Sequence, residues 1–186
     1  MDIFKNIFHW LVSAFGGGSK SSAVVTNNII VNGASASSEN TRDSTVAQEM
    51  HCDIEYMKTH TDILFIDNEK FQIVKTIKEA GWKNTHWLNG ATLKNTDNER
   101  IVAADIIFVD IVGVAPTLFR DEGLGLIVSL KEKYPRKIVI LYSSQGSHDI
   151  HHRAFDMIDD KMRKESRAGI FLNKIDKYAK KVCYSK

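Results

Sequence analysis

From Thr61 onward, short apolar runs alternate with amphipathic stretches. Ile63–Ile66, Thr85–Leu88, Ile106–Val109 within the stretch ADIIFVDIVG, and KIVILY at 137–142 are four such runs, and a shorter one lies near Lys161–Arg163. Runs of this length bounded by polar residues are too short for helices and read as strands, the central ones buried on both faces. Between them, Lys70–Ala80 aligns Phe71, Val74, Ile77 and Lys78 at helical spacing and ends at Gly81. Further helices are predicted over Asn95–Ala103, Glu122–Lys133 with a stop at Pro135, His148–Met157 and Ile170–Val182. Strands alternating with helices predict an α/β fold with a doubly wound, parallel, five-stranded sheet.

The first 60 residues have a different texture. Residues 2–15 put Asp2, Lys5, Asn6, His9 and Ser13 on one helical stripe, with Ile3, Phe4, Ile7, Phe8, Trp10, Leu11 and Phe15 over the remainder. Such an amphipathic helix suits packing on a partner or a second copy, contact with a membrane surface, or packing on the main domain. A single lysine on its polar face offers little attraction to anionic lipid. Residues 16–44 are rich in Gly, Ser and Asn, as a flexible linker is. An apolar island, Ala23–Val25 with Ile29–Val31, offers a short β hairpin through Asn27-Asn28. Residues 45–58 repeat Val46, Met50, Ile54 and Met57 at helical spacing. The expected organisation is therefore a helix at 1–15, a linker with a hairpin and a helix at 16–60, and the main domain at 61–186.

Composition narrows the class of partner. A formal net charge of +2 with 26% charged residues implies no broad nucleic-acid-binding face. Cys52 and Cys183 are isolated and lack CxxC spacing, so a reducing cytosol is expected and a disulfide scaffold or zinc site is not. No apolar run approaches the roughly 20 residues that span a bilayer. The amino terminus lacks the pattern of a secretory signal. The expected location is the cytoplasm, with peripheral membrane contact as the variant if residues 2–15 bind lipid.

Candidate chemistry gathers at the strand ends. Adjacent parallel strands bring Asp67-Asn68, Asp110 and Ser143 to the carboxyl edge of the sheet, where ligands collect in open α/β folds. Two carboxylates and an amide oxygen placed together suit Mg²⁺, a hard cation that takes oxygen ligands and retains water. A magnesium ion beside a free aspartate suits phosphoryl transfer, with the carboxylate attacking in line.

These residues resemble the receiver domains of two-component response regulators, whose fold is flavodoxin-like. ILFIDNE is similar to the first strand with its acidic pair, and IIFVD to the strand carrying the phospho-accepting aspartate. EGLGLIVSLKEKYP resembles the helix that follows, KIVILYSS the strand with the switch hydroxyl, and DDKMRKE the segment with the lysine. The likeness covers about residues 61–182. It implies Asp110 as phosphoryl acceptor, Ser143 as a ligand of a phosphoryl oxygen and Lys164 as the phosphate's partner. Lys161 is the alternate lysine, because DDKMRKE aligns in two registers. It further implies a Mg²⁺ site made by Asp67, Asn68, Asp110 and the backbone carbonyl of Val112. A sensor histidine kinase or other phosphodonor would supply the phosphoryl group, and a downstream protein would read the result. No enzymatic activity beyond Mg²⁺-dependent self-phosphorylation is implied.

The sequence departs from the family pattern at several points. Asn68 replaces a second acid, the loop after Asp110 is longer than usual, and Pro116 comes late. Glu165 follows Lys164 where proline is customary, and the aromatic switch position before the lysine is not aromatic. A phosphorylation-independent receiver used as a protein-interaction module is therefore the alternative. A lesser alternative, a GTP-binding protein, rests on DIVG at 110–113 and NKID at 173–176. The tract GGGSKSS lacks the glycine that a P-loop needs before its lysine. His148, His151 and His152 read as a solvated helix start, Trp82 and Trp87 as core or rim. Lys174, Lys177, Lys180 and Lys181 read as a solvated basic face.

Overall fold

The computed structural model describes residues 52–70, 72–144 and 151–186. The expected helix at 2–15, the hairpin at 23–31 and the linker lie outside the described residues. The elements are α1 (Ile54–His60), β1 (Ile63–Asp67), α2 (Ile73–Glu79), β2 (Thr85–Asn89), a 3-10 turn (Gly90–Thr92), α3 (Glu99–Ala103) and β3 (Ile106–Val109). They continue with α4 (Gly123–Lys133), β4 (Ile138–Ser143), α5 (Ala154–Met157), β5 (Asp160–Arg163) and α6 (Ala168–Cys183).

All five strands are parallel, in the order β2-β1-β3-β4-β5. Period-two alternation within each strand divides the core in two. Ile63, Phe65, Ile106, Phe108, Ile140 and Tyr142 face one layer with α1, α2 and α6. Leu64, Ile66, Ile107, Val109, Val139 and Leu141 face the other, with α3, α4 and α5. Helices on both faces make the sheet doubly wound, as the alternation of runs predicts. Phe65 and Phe108 stack with ring centroids 4.4 Å apart, and Tyr142 meets Phe65 edge-on at 5.5 Å. Each such ring removed from water stabilises the fold by roughly 1.5–3 kcal/mol.

Two expected helices have different bounds. The helix read over 45–58 begins, among the described residues, at Ile54, because Asp53 caps it by accepting from the Tyr56 N–H at 2.7 Å; it runs on to His60. Of the helix expected over His148–Met157, Ala154–Met157 is helical and 151–153 is not, while 145–150 lies outside the described residues. There the Nδ1 of His152 accepts from the Ala154 N–H at 3.0 Å and occupies a donor at the helix start.

The cysteine reading is overturned. Cys52 and Cys183 form a disulfide, with Cα atoms 6.0 Å apart and 131 residues between them in sequence. Packing of α1 beside the end of α6 creates the pair: Met57 of α1 and Val182 of α6 are buried in the same core layer. No local spacing could reveal a contact between residues 131 positions apart. The basic stripe of α6 is partly paired: Lys174 contacts the Asp160 carboxylate at 2.6 Å and Lys181 that of Asp159 at 3.6 Å.

Candidate functional site

The parallel register fixes the site. Val109 lies beside Ile66 and Leu141, so Asp67, Asp110 and Ser143 all emerge at the carboxyl edge of three neighbouring strands. Asp67 is fully buried, Asp110 is 5% exposed and Ser143 is 7% exposed. Lys164 follows β5, and its backbone N–H donates to the Ser143 carbonyl at 3.2 Å, which delivers the side chain to the same edge. Its Nζ lies 2.8 Å from Asp67 Oδ2 and 3.0 Å from Asp110 Oδ2.

Two buried carboxylates share one ammonium, and nearby donors engage their oxygens as well. Asp110 Oδ1 accepts from the Ile111 N–H at 2.8 Å. Asp67 Oδ1 accepts from the Glu69 N–H at 2.9 Å, and Asp67 Oδ2 from the Tyr142 hydroxyl at 2.5 Å. Burial raises the Asp110 carboxyl above its usual range and outweighs the opposing pull of Lys164. For Lys164, burial disfavours the charge, but its bonds to Asp67 and Asp110 prevail and hold the ammonium above its ordinary value.

The loop after Asp110 is long but tied down. The N–H of Gly123 donates to the Ile111 carbonyl at 3.0 Å, and that of Ala115 to the Gly90 carbonyl at 2.9 Å. Glu122, at φ 51°, reaches back so that its Oε2 accepts from the Gly113 N–H at 2.5 Å. Two glycines permit close approach. A Cβ at Gly123 would overlap the Asp110 carbonyl, and one at Gly113, at φ +72°, would overlap the Asn68 amide. Asn68 therefore lies against the residue that follows Val112. The amide oxygen of Asn68, the Val112 carbonyl and the Asp110 carboxylate are hard oxygen donors, and their chemistry fits Mg²⁺. Their combined charge is low. Among the described residues, no third His, Cys, Asp or Glu joins the two aspartates in a metal-binding group.

Lys161 lies elsewhere. It is exposed, with its Nζ 5.9 Å from the Phe155 ring centroid, while Met162 packs on the core. Asn173–Asp176 lies inside α6 and not on a loop. His152 carries a contact that the histidine cluster did not announce: its Nε2 is 2.5 Å from Asp121 Oδ2. Tyr142 was read only as part of an apolar run, yet its hydroxyl is inside the site.

No family model matches the sequence, and no curated relative matches it. Solved structures do match the fold. A CheY-like response regulator receiver domain protein from Methanospirillum hungatei JF-1 has a TM-score of 0.53 at 16% identity, over 68% of this chain and 98% of that one. NtrX from Brucella abortus, solved with ATP, has a TM-score of 0.53 at 18% identity, over 68% of this chain. The match spans 28% of the NtrX chain. DrrB, an OmpR/PhoB homolog from Thermotoga maritima, has a TM-score of 0.50 at 18% identity, over 65% of this chain and 53% of that one. The chain has the receiver fold of response regulators.

Proposed function

We propose that this chain is a signalling receiver module that accepts a phosphoryl group on Asp110 and switches a partner-binding surface. The observation that carries the reading is the Lys164 ammonium held between Asp67 and Asp110 at buried strand ends, with Ser143 at the next strand end. In the transfer, an Asp110 carboxylate oxygen forms a bond to phosphorus. The donor's N–P or O–P bond breaks, and the leaving group keeps the electron pair. Lys164 then pairs with a phosphoryl oxygen, and the Ser143 hydroxyl donates to another. Bound Mg²⁺ would neutralise phosphoryl oxygens, with Asp110, Asn68 and the Val112 carbonyl as its holders; Asp67, the fourth ligand that the resemblance implies, is engaged by Tyr142 and Lys164.

Addition of the phosphoryl group draws Ser143 toward the new charge and shifts the adjoining loop, where Val112 and Leu118 expose apolar side chains. A partner that distinguishes the two arrangements provides the output. The donor would be a sensor histidine kinase or another phosphodonor. Among the described residues no helix is long and apolar enough to cross a membrane. A receiver that takes its phosphoryl group from such a donor would work in the cytoplasm, where ambient thiols would bear on the Cys52–Cys183 bond. Residues 2–15 remain the candidate for self-association or membrane contact.

One observation favours a second reading, a phosphorylation-independent interaction module. Asn68 supplies no charge, and both Asp67 oxygens are already engaged by protein donors. Beryllofluoride, which bonds to a carboxylate oxygen as a phosphoryl mimic, separates the two. Trp87 reports on the site, because its Nε1 donates to the Glu69 carbonyl at 3.1 Å and Glu69 in turn contacts Asp67. With Mg²⁺ and beryllofluoride, tryptophan emission is expected to change in wild type and to stay constant in Asp110→Ala. Equal responses in both proteins would favour the second reading.

A further inference from the structure

One polar side chain inside the Asp110 pocket has no part in the chemistry above. Tyr142 lies fully buried in β4, its ring boxed by Phe65, Phe108 and Phe171 with centroids 5.5, 6.1 and 6.4 Å away. A ring fixed on three sides fixes its hydroxyl, and that hydroxyl donates to Asp67 Oδ2 at 2.5 Å. Burial, then the charge of Asp67, pushes the phenol far above its usual range. The same ring lies under Lys164, with Nζ 5.7 Å from its centroid. Asp67 is thus gripped by the Glu69 N–H on one oxygen and by Tyr142 and Lys164 on the other. Direct coordination of a cation by Asp67 competes with these donors, which fix where its oxygens point.

We propose that Tyr142 is a positioning residue that holds Asp67 on Lys164 and withholds it from a divalent cation. The pocket then takes its metal weakly, through Asp110, Asn68 and the Val112 carbonyl. The role of Tyr142 rests on the receiver-like reading of this pocket, but it requires no phosphoryl transfer. In Tyr142→Phe the ring keeps its packing and Asp67 loses one donor, which leaves its carboxylate held by the Glu69 N–H and Lys164 alone and easier to turn toward the cation. Asn68, lacking charge, cannot provide that attraction itself.

Mn²⁺ alone is the probe, with free metal counted by its EPR signal against the full-length chain. Adding one carboxylate to a metal's ligands is expected to tighten binding about tenfold in Tyr142→Phe. Asp67→Asn should change the wild-type dissociation constant less than twofold and should abolish the gain in the Tyr142→Phe background. Such non-additivity is the signature of coupled residues. A merely structural tyrosine would weaken metal binding or leave it alone on substitution, and either outcome overturns the proposal. If Tyr142→Phe fails to fold, Asp67→Asn on the wild-type chain decides alone: a tenfold loss means that Asp67 already coordinates the metal. Failure of the receiver reading shows separately, as an Asp110 that takes up no phosphoryl group whatever its metal affinity.

Discussion

Replacing Lys164 with methionine is expected to destabilise the fold by about 3 kcal/mol, the cost of leaving a buried charge without its partner. Lys164 is mostly buried, and its ammonium is the cation that contacts both Asp67 and Asp110. Without it, two carboxylates repel in a largely buried site. One can take up a proton, which limits the penalty and keeps it nearer 3 than 5 kcal/mol. In a domain of this size the loss corresponds to a melting temperature lower by roughly 10 °C. Asp110→Asn in the Lys164→Met background should recover part of that loss, because it removes one of the two stranded charges. Urea melts of the two single variants and the double variant check this. Additive losses would mean that the lysine and Asp110 do not depend on each other.

Reducing the Cys52–Cys183 bond is expected to cost a comparable amount, about 3–5 kcal/mol on the chain-entropy view of a cross-link. The loop it closes is long, since the cysteines are 131 residues apart. The penalty should appear as a lower urea midpoint in the presence of a phosphine reductant, with two free thiols per chain. The Cys52→Ser, Cys183→Ser double variant should show the lower midpoint with or without reductant. Exchange of the α1 amides should accelerate first, because the tie to α6 supplements only about two turns of helix buried through Met57. An unchanged midpoint on verified reduction would show that noncovalent packing of α1 suffices.

Much of this domain was legible in the sequence because its physics is local or periodic. Apolar runs such as IIFV and KIVILY marked strands buried on both faces, and their boundaries placed Asp67, Asp110 and Ser143 at strand ends. Parallel pairing then brought them to one edge, as the registers of β1, β3 and β4 do. The choice of Lys164 over Lys161 followed the same logic: the inward alternate positions of β5 place Met162 in the core and send Lys164 to the site.

What was not legible depends on contacts between distant residues. Tyr142 sits in an apolar run, and nothing in that run reveals that its hydroxyl meets a carboxylate at position 67. The disulfide joins elements near opposite ends of the described chain. The pair His152 and Asp121 links two loops, and a cluster of three histidines gives no hint of it. Glu122 reads as a first-turn helix acid, yet it adopts a positive φ and accepts from Gly113 to close the long loop. In each case a side chain's partner is set by how layers pack, and periodicity describes only which layer a residue faces.

The direct measurement of the central claim is the intact mass of the protein after incubation with acetyl phosphate and Mg²⁺. Wild type should gain the mass of one phosphoryl group, and Asp110→Asn should gain none. An unmodified wild type, or an adduct that persists in Asp110→Asn, would contradict a phospho-accepting role for Asp110.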